Sequence, residues 1–129
     1  MEKNIYLGCD HVGYELKEGL KKYLLTKNQV VIDLGSFSTE SVDYKEIARE
    51  VAEKIVEEHE GPCYGILTGE SGENMMAEAN RFKGVRAADC ADETAAKTAR
   101  TGLKANVLCI GAGAVNLELA KRIVDAYLE

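Results

Sequence analysis

The sequence predicts an α/β fold, and three observations carry that prediction. Short apolar segments alternate with longer amphipathic ones from end to end of the chain. The short segments read as strands buried on both faces, which is the signature of a parallel sheet covered by helices. Polar turns of Gly, Asp, Ser and Asn follow these segments and open the amphipathic ones, the order of a repeated β-α unit. The expected architecture is a single domain over residues 1–129, a three-layer α/β/α Rossmann-like arrangement with a five-stranded parallel sheet.

The elements follow in order. Asn4 to Leu7 is the first strand, and it runs into the turn Gly8-Cys9-Asp10-His11-Val12-Gly13. The next helix carries Leu16, Leu20, Tyr23 and Leu24 at helical spacing. Val30-Val31-Ile32 is a second strand, and Leu34 to Val42 is a loop containing Ser and Gly. Asp43 caps the following helix, with Glu46 three residues on as in a capping box. Within it Ile47, Val51 and Ile55 form one stripe, flanked by Ala48, Ala52 and Val56. Tyr64 to Leu67 is the third strand, ending in Thr68-Gly69-Glu70-Ser71-Gly72. A helix with Met75, Met76 and Ala79 comes next, its methionines read as core or subunit contacts. Gly84 to Ala88 is the fourth strand, Asp92 to Lys104 an alanine-rich helix, and Asn106 to Ile110 the fifth strand. Leu117 to Leu128 is the last helix, whose wide apolar stripe hints at a partner subunit.

Composition removes several classes of function. A net charge of −6 argues against a nucleic-acid surface, where Lys and Arg must cluster against phosphates. No apolar run reaches the roughly 20 residues that span a bilayer. The first residues enter a strand without the apolar core of an export signal, so the expected location is cytoplasmic. Cys9, Cys63, Cys90 and Cys109 form no C-x-x-C pair, so they read as free thiols in a reducing compartment rather than zinc ligands. Cys9 in the first loop and Cys63 ahead of its strand read as buried. Nothing in the pattern asks for a metal or another cofactor.

In parallel sheets, ligands bind beyond the carboxyl ends of the strands. Asp10 and His11 stand side by side at such an end. They read either as a ligand-binding pair or as a capped helix start. His59, the other histidine, lies in a Glu-rich run read as surface. Three known sites fail on spacing. Gly8 to Gly13 is not a G-x-G-x-x-G fingerprint, and Gly111-Ala112-Gly113-Ala114 has no βαβ unit after it. Thr68 and Gly111 stand where a receiver domain needs an aspartate and a lysine. A Walker loop is missing from the sequence. What remains is the loop from Thr68 to Asn74, whose backbone N–H groups at a helix start suit an oxyanion, with Ser71 as a further donor. Glu70 and Glu73 in that loop repel an anion, or else they favour the helix start through its dipole.

These residues resemble ribose-5-phosphate isomerase B and its relatives, the galactose-6-phosphate isomerase subunits. The likeness begins at Gly8-Cys9-Asp10-His11-Val12-Gly13-Tyr14-Glu15-Leu16-Lys17 and continues through Val31 to Gly35, Ser41 to Tyr44 and Gly65 to Leu67. It resumes at Ala79 to Ala87, Ala105 to Leu108 and Leu117 to Ala126, covering nearly the whole chain. The resemblance implies a metal-free aldose–ketose isomerase that works through a cis-enediolate. Its site lies between two subunits of a dimer, a histidine opens the sugar ring and arginines hold the phosphate. Asp10, His11 and Tyr44 match the family's substrate-binding positions, and Gly69, Ser71 and Gly72 fall in its anion-stabilising loop.

The chain also departs from that pattern. One branch of the family has a cysteine base where Gly69 stands, and the other a glutamate base where Met75 stands. The family's second histidine falls at Gly102-Leu103, its phosphate-binding arginine at Gly113, and its Gly-Gly-Arg-His segment beyond Glu129. Two readings follow. In the first, the chain is an active isomerase of a sugar phosphate, with His11 opening the ring and Glu70 or Glu73 as the base. In the second, it is an inactive homologue serving as a partner subunit or an emptied scaffold. Both expect a homodimer or homotetramer, or an assembly with a second family member.

Overall fold

The computed structural model describes residues 3–58 and 62–129, so His59 lies outside the described residues. Strands and helices alternate as β1 (Asn4–Cys9), α1 (Tyr14–Leu25), β2 (Val30–Asp33), α2 (Tyr44–Glu57), β3 (Cys63–Gly69), α3 (Gly72–Ala79), β4 (Ala87–Asp89), α4 (Glu93–Thr101), β5 (Val107–Gly111) and α5 (Leu117–Leu128). The five strands form one sheet in the order β2-β1-β3-β5-β4, and each neighbouring pair is parallel. Winding runs outward from β1 to β2 and then crosses to β3 on the other side. The reversal falls between β1 and β3, where an open α/β sheet leaves its binding crevice.

The strands' period of two sends alternate side chains into two separate cores. Ile5 and Leu7, Ile66, Leu108 and Ile110 pack against α1, α4 and α5. Tyr6, Leu67, Val107 and Cys109 point the opposite way, against Ile47, Val51 and Ile55 of α2 and Met75 and Ala79 of α3. The result is the three-layer Rossmann-like architecture expected from the sequence. No helix among the described residues is long and apolar enough to cross a membrane.

Several local expectations shift. β4 occupies Ala87–Asp89 rather than Gly84 to Ala88, because the Asn106 side chain takes the Arg86 amide just before the strand and the Asn80 side chain that of its first residue, Ala87. Asp43 caps α2 through the amide of Lys45, not through a reciprocal box with Glu46. α4 ends at Thr101, where the Gly102 amide closes onto Thr98. Val56 faces solvent at 40% exposure, outside the α2 stripe. Cys63 opens β3 and is half-buried. The wide stripe of α5 needs no partner subunit, since Ala120, Ile123, Val124, Ala126, Tyr127 and Leu128 are buried within this chain.

Candidate active site

Three loops meet at the carboxyl ends of β1, β3 and β5. Cys9 lies opposite Thr68 in the sheet, so the loop after β1 begins beside the end of β3. The Asp10 amide donates to the Thr68 carbonyl at 3.2 Å, and the Thr68 hydroxyl donates to the Gly13 carbonyl at 2.8 Å. Gly13 is required here: a Cβ at that position would sit on the Thr68 carbonyl. On the other side, the Ala112 amide donates to the Gly69 carbonyl at 2.7 Å, drawing in the loop after β5.

Asp10 is the centre of this arrangement. It is only 4% exposed, and its carboxylate accepts from three backbone amides. Oδ1 takes the amides of Val12 and Gly13 and Oδ2 that of Glu70, all at 2.9 Å. Two of those amides shape the start of α1, and the third fixes the turn between β3 and α3. Asp10 therefore couples the two loops, while His11 turns toward the loop before α2. His11 Nδ1 accepts from the Val42 amide at 3.4 Å, which leaves its Nε2 as the nitrogen free to carry a proton. The two residues are neighbours in sequence but engage different partners.

Ser71 caps α3, its Oγ accepting from the Asn74 amide at 3.1 Å. The hydroxyl hydrogen stays available to a ligand. Asp10, Tyr44, Glu70, Ser71 and Asn74 together line a cavity of about 250 Å3 at this switch point. Glu70 is exposed on its wall. Glu73 lies in the first turn of α3 and faces another carboxylate, Asp89, at the end of β4. Burial and then the Glu73 charge raise the Asp89 pKa from its ordinary value. Gly72 is buried beneath that Asp89 side chain, which a Cβ at Gly72 would overlap.

Gly69 and Met75 share one volume. A Cβ on Gly69 would lie 2.6 Å from Met75 Sδ and 2.8 Å from Asp10 Oδ2. Met75 is 1% exposed, so its sulfur fills the space above Gly69 and closes that wall. Burial pushes the Cys9 and Cys109 thiols up, and that of Cys90 to about 11, which disfavours their thiolate forms.

A family model described as Ribose/Galactose Isomerase matches residues 5–129. The chain belongs to that family of sugar-phosphate isomerases. It is 41% identical over 127 residues to ribose-5-phosphate isomerase B of Escherichia coli (strain K12), covering 98% of this chain and 83% of that protein. The crystal structure of a ribose 5-phosphate isomerase from Thermotoga maritima superposes with a TM-score of 0.93 at 40% identity, covering 98% of this chain and 86% of that one. Ribose-5-phosphate isomerase B from Mycoplasma genitalium, solved with bound ribulose-5-phosphate, superposes with a TM-score of 0.93 at 35% identity, covering 98% and 84%.

The site thus brings together Asp10, Tyr44, Glu70 and Ser71 of the sequence-predicted set, with Gly69 and Gly72 in the backbone below. His11, whose Nδ1 is on the Val42 amide, and Glu73 are both outside the cavity lining. Sequence reasoning missed Asn74, although its place one turn after Glu70 at a helix start was a usable signal. It also missed Asp89, because the fourth strand was expected to end one residue earlier.

Proposed function

We propose that this chain is an aldose–ketose isomerase acting on a small sugar phosphate, with Glu70 as the base. The cavity lined by Asp10, Tyr44, Glu70, Ser71 and Asn74 at the β1/β3 switch point carries this reading. Glu70 and Asp10 are its two carboxylates, and three amides already hold Asp10. Glu70 is therefore the group able to take a proton. It removes the C2 proton of the open-chain aldose and returns one to C1, through a cis-enediolate. The Ser71 hydroxyl and the positive end of α3 face the oxygen on which charge develops. His11, next to Asp10 in the chain, serves ring opening through Nε2. A homodimer or homotetramer in the cytoplasm is the assembly in keeping with the family and with four unpaired thiols.

A second reading rests on Met75, whose sulfur fills the space over Gly69. With neither the cysteine nor the glutamate base of its relatives, the chain would bind sugar without turning it over, or serve a second family member as a partner subunit. A turnover screen of pentose and hexose phosphates separates the two. Activity of the wild type alone that is lost in Glu70→Gln supports the first. No activity until a catalytically competent relative is added supports the second.

A further inference from the structure

Much of the polar lining of the switch-point cavity is already engaged within the chain. Three amides hold the Asp10 carboxylate, and the Ser71 oxygen accepts from the Asn74 amide at 3.1 Å. The backbone donors of the lining are engaged as well. The Glu70 amide is on Asp10 and the Asn74 amide on Ser71, while Gly72 lies beneath Asp89, outside the lining. Among the described residues, the side chains of Tyr44, Glu70 and Asn74 make no hydrogen bond. These three, with the Ser71 hydroxyl hydrogen, are what the cavity offers a ligand.

Asn74 differs from the other two in kind. It stands in the first turn of α3, three residues after Ser71, so the two share one face with their Cβ atoms about 5–6 Å apart. The Ser71 cap pins its backbone, and its carboxamide projects from a fixed point. A carboxamide sets an NH2 donor beside an acceptor oxygen in one plane and carries no charge. That is the complement of a cis-enediolate, in which a charged oxygen neighbours a hydroxyl. Tyr44 and Ser71 each offer a single O–H, and the Glu70 carboxylate offers none. With two carboxylates and no cation in the lining, charge on a ligand oxygen has only dipoles to meet it.

We propose that the Asn74 carboxamide holds the two oxygens of the cis-enediolate, as a further catalytic residue of the isomerisation. The proposal rests on the reading of this cavity as a sugar-phosphate isomerase site. As Glu70 takes the C2 proton, the C2–H electron pair becomes the C1–C2 double bond and the carbonyl pair moves onto O1. Asn74 Nδ2 donates to O1, and Oδ1 accepts from the O2 hydroxyl. The O2 proton then passes to O1 while Glu70 returns its proton to C1, which leaves the carbonyl at C2. Being neutral, the carboxamide steadies the new charge without competing with Glu70 for the proton.

Steady-state isomerisation of ribose 5-phosphate by the wild type, Asn74→Ala, Asn74→Asp and Glu70→Gln tests this. Calorimetry with a phosphorylated four-carbon hydroxamic acid, whose O–N–C–O unit mimics the enediolate, runs beside it. Asn74 is exposed and its side chain has no partner in the fold, so Asn74→Ala is expected to leave Tm unchanged. It is expected to lower kcat and kcat/KM alike by about 100-fold, the mark of a contact made in the transition state. Asn74→Asp, which makes both ends of the group acceptors, falls at least as far, and the hydroxamate binds Asn74→Ala about tenfold more weakly. A kcat in Asn74→Ala within about threefold of wild type overturns the assignment. So does a rise in KM alone, which makes Asn74 a ground-state contact. Loss of turnover in Asn74→Ala while Glu70→Gln stays active upholds Asn74 and removes Glu70 as the base. A wild type without turnover removes the isomerase reading; the Asn74 contact then stands if Asn74→Ala weakens the hydroxamate, and falls if both proteins bind it equally or not at all.

Discussion

Gly69 and Met75 offer a quantitative test of how the floor of the site is built. A Gly69→Ala substitution places a Cβ 2.6 Å from Met75 Sδ and 2.8 Å from Asp10 Oδ2, roughly an ångström inside normal contact. Neither neighbour yields freely. Met75 is 1% exposed among close-packed neighbours, and Asp10 Oδ2 is held by the Glu70 amide. The strain is expected to destabilise the fold by about 1–3 kcal/mol. Met75→Ala alone opens a void and costs about 2–5 kcal/mol. In the double variant the new methyl enters the space the sulfur vacated, so the two effects do not add. A coupling of about 1–2 kcal/mol in favour of the double variant is expected. Urea unfolding of the four proteins, read from midpoints at unchanged slope, measures it. Additivity to within about 0.5 kcal/mol would refute the shared volume.

Further outcomes follow from other contacts. Asp10→Asn keeps one acceptor oxygen but turns a donor toward an amide, so it is expected to lower stability by about 2 kcal/mol, seen as a fall in Tm. An unchanged Tm contradicts the coupling of the two loops. Lys17, 1% exposed, donates to Asp33 at 2.7 and 2.9 Å, so Lys17→Met leaves a half-buried carboxylate with Lys21 and the Gly35 amide and is expected to cost about 3 kcal/mol in urea unfolding. Burial alone would raise the Asp33 pKa, but hydrogen bonds from Lys17, Lys21 and the Gly35 amide outweigh it and hold the group below 3.8. A lowered folded pKa means stability present above the unfolded value and lost as pH falls through the folded one. Acid titration of the Tm is expected to show this loss below about pH 4, and a smaller one in Lys17→Met.

The layers of this fold were legible because burial on both faces leaves a direct trace, visible in Ile66-Leu67 and in Val107 to Ile110, whereas the edge strand Val30-Val31-Ile32 is apolar but only partly covered. The cap at Asp43 was legible too, whereas Ser71, Asp92 and Asn116, which each accept from an amide within the first turn, emerged as caps only in the structure. What the sequence did not show were partners distant along the chain. Asp10 was legible as a residue at a strand end, but its bond to the Glu70 amide spans 60 positions. The Asp10-His11 juxtaposition suggested a pair, whereas the backbone turns their side chains toward different loops. A cleft between α2 and α3 stayed hidden for the same reason, since Lys45 and Arg49 are distant along the chain from Glu78 and Arg81.

The central claim is that Glu70 moves a proton on a sugar phosphate bound at the β1/β3 switch point. Nuclear magnetic resonance of ribose 5-phosphate in deuterated water tests it most directly, since an enediolate mechanism carries solvent deuterium to C1 of the ketose. Wild type is expected to form ribulose 5-phosphate with deuterium at C1, and Glu70→Gln to slow this by about 100-fold or more with its fold intact. Equal rates in the two proteins, or neither isomerisation nor exchange in the wild type with any pentose or hexose phosphate, would contradict it.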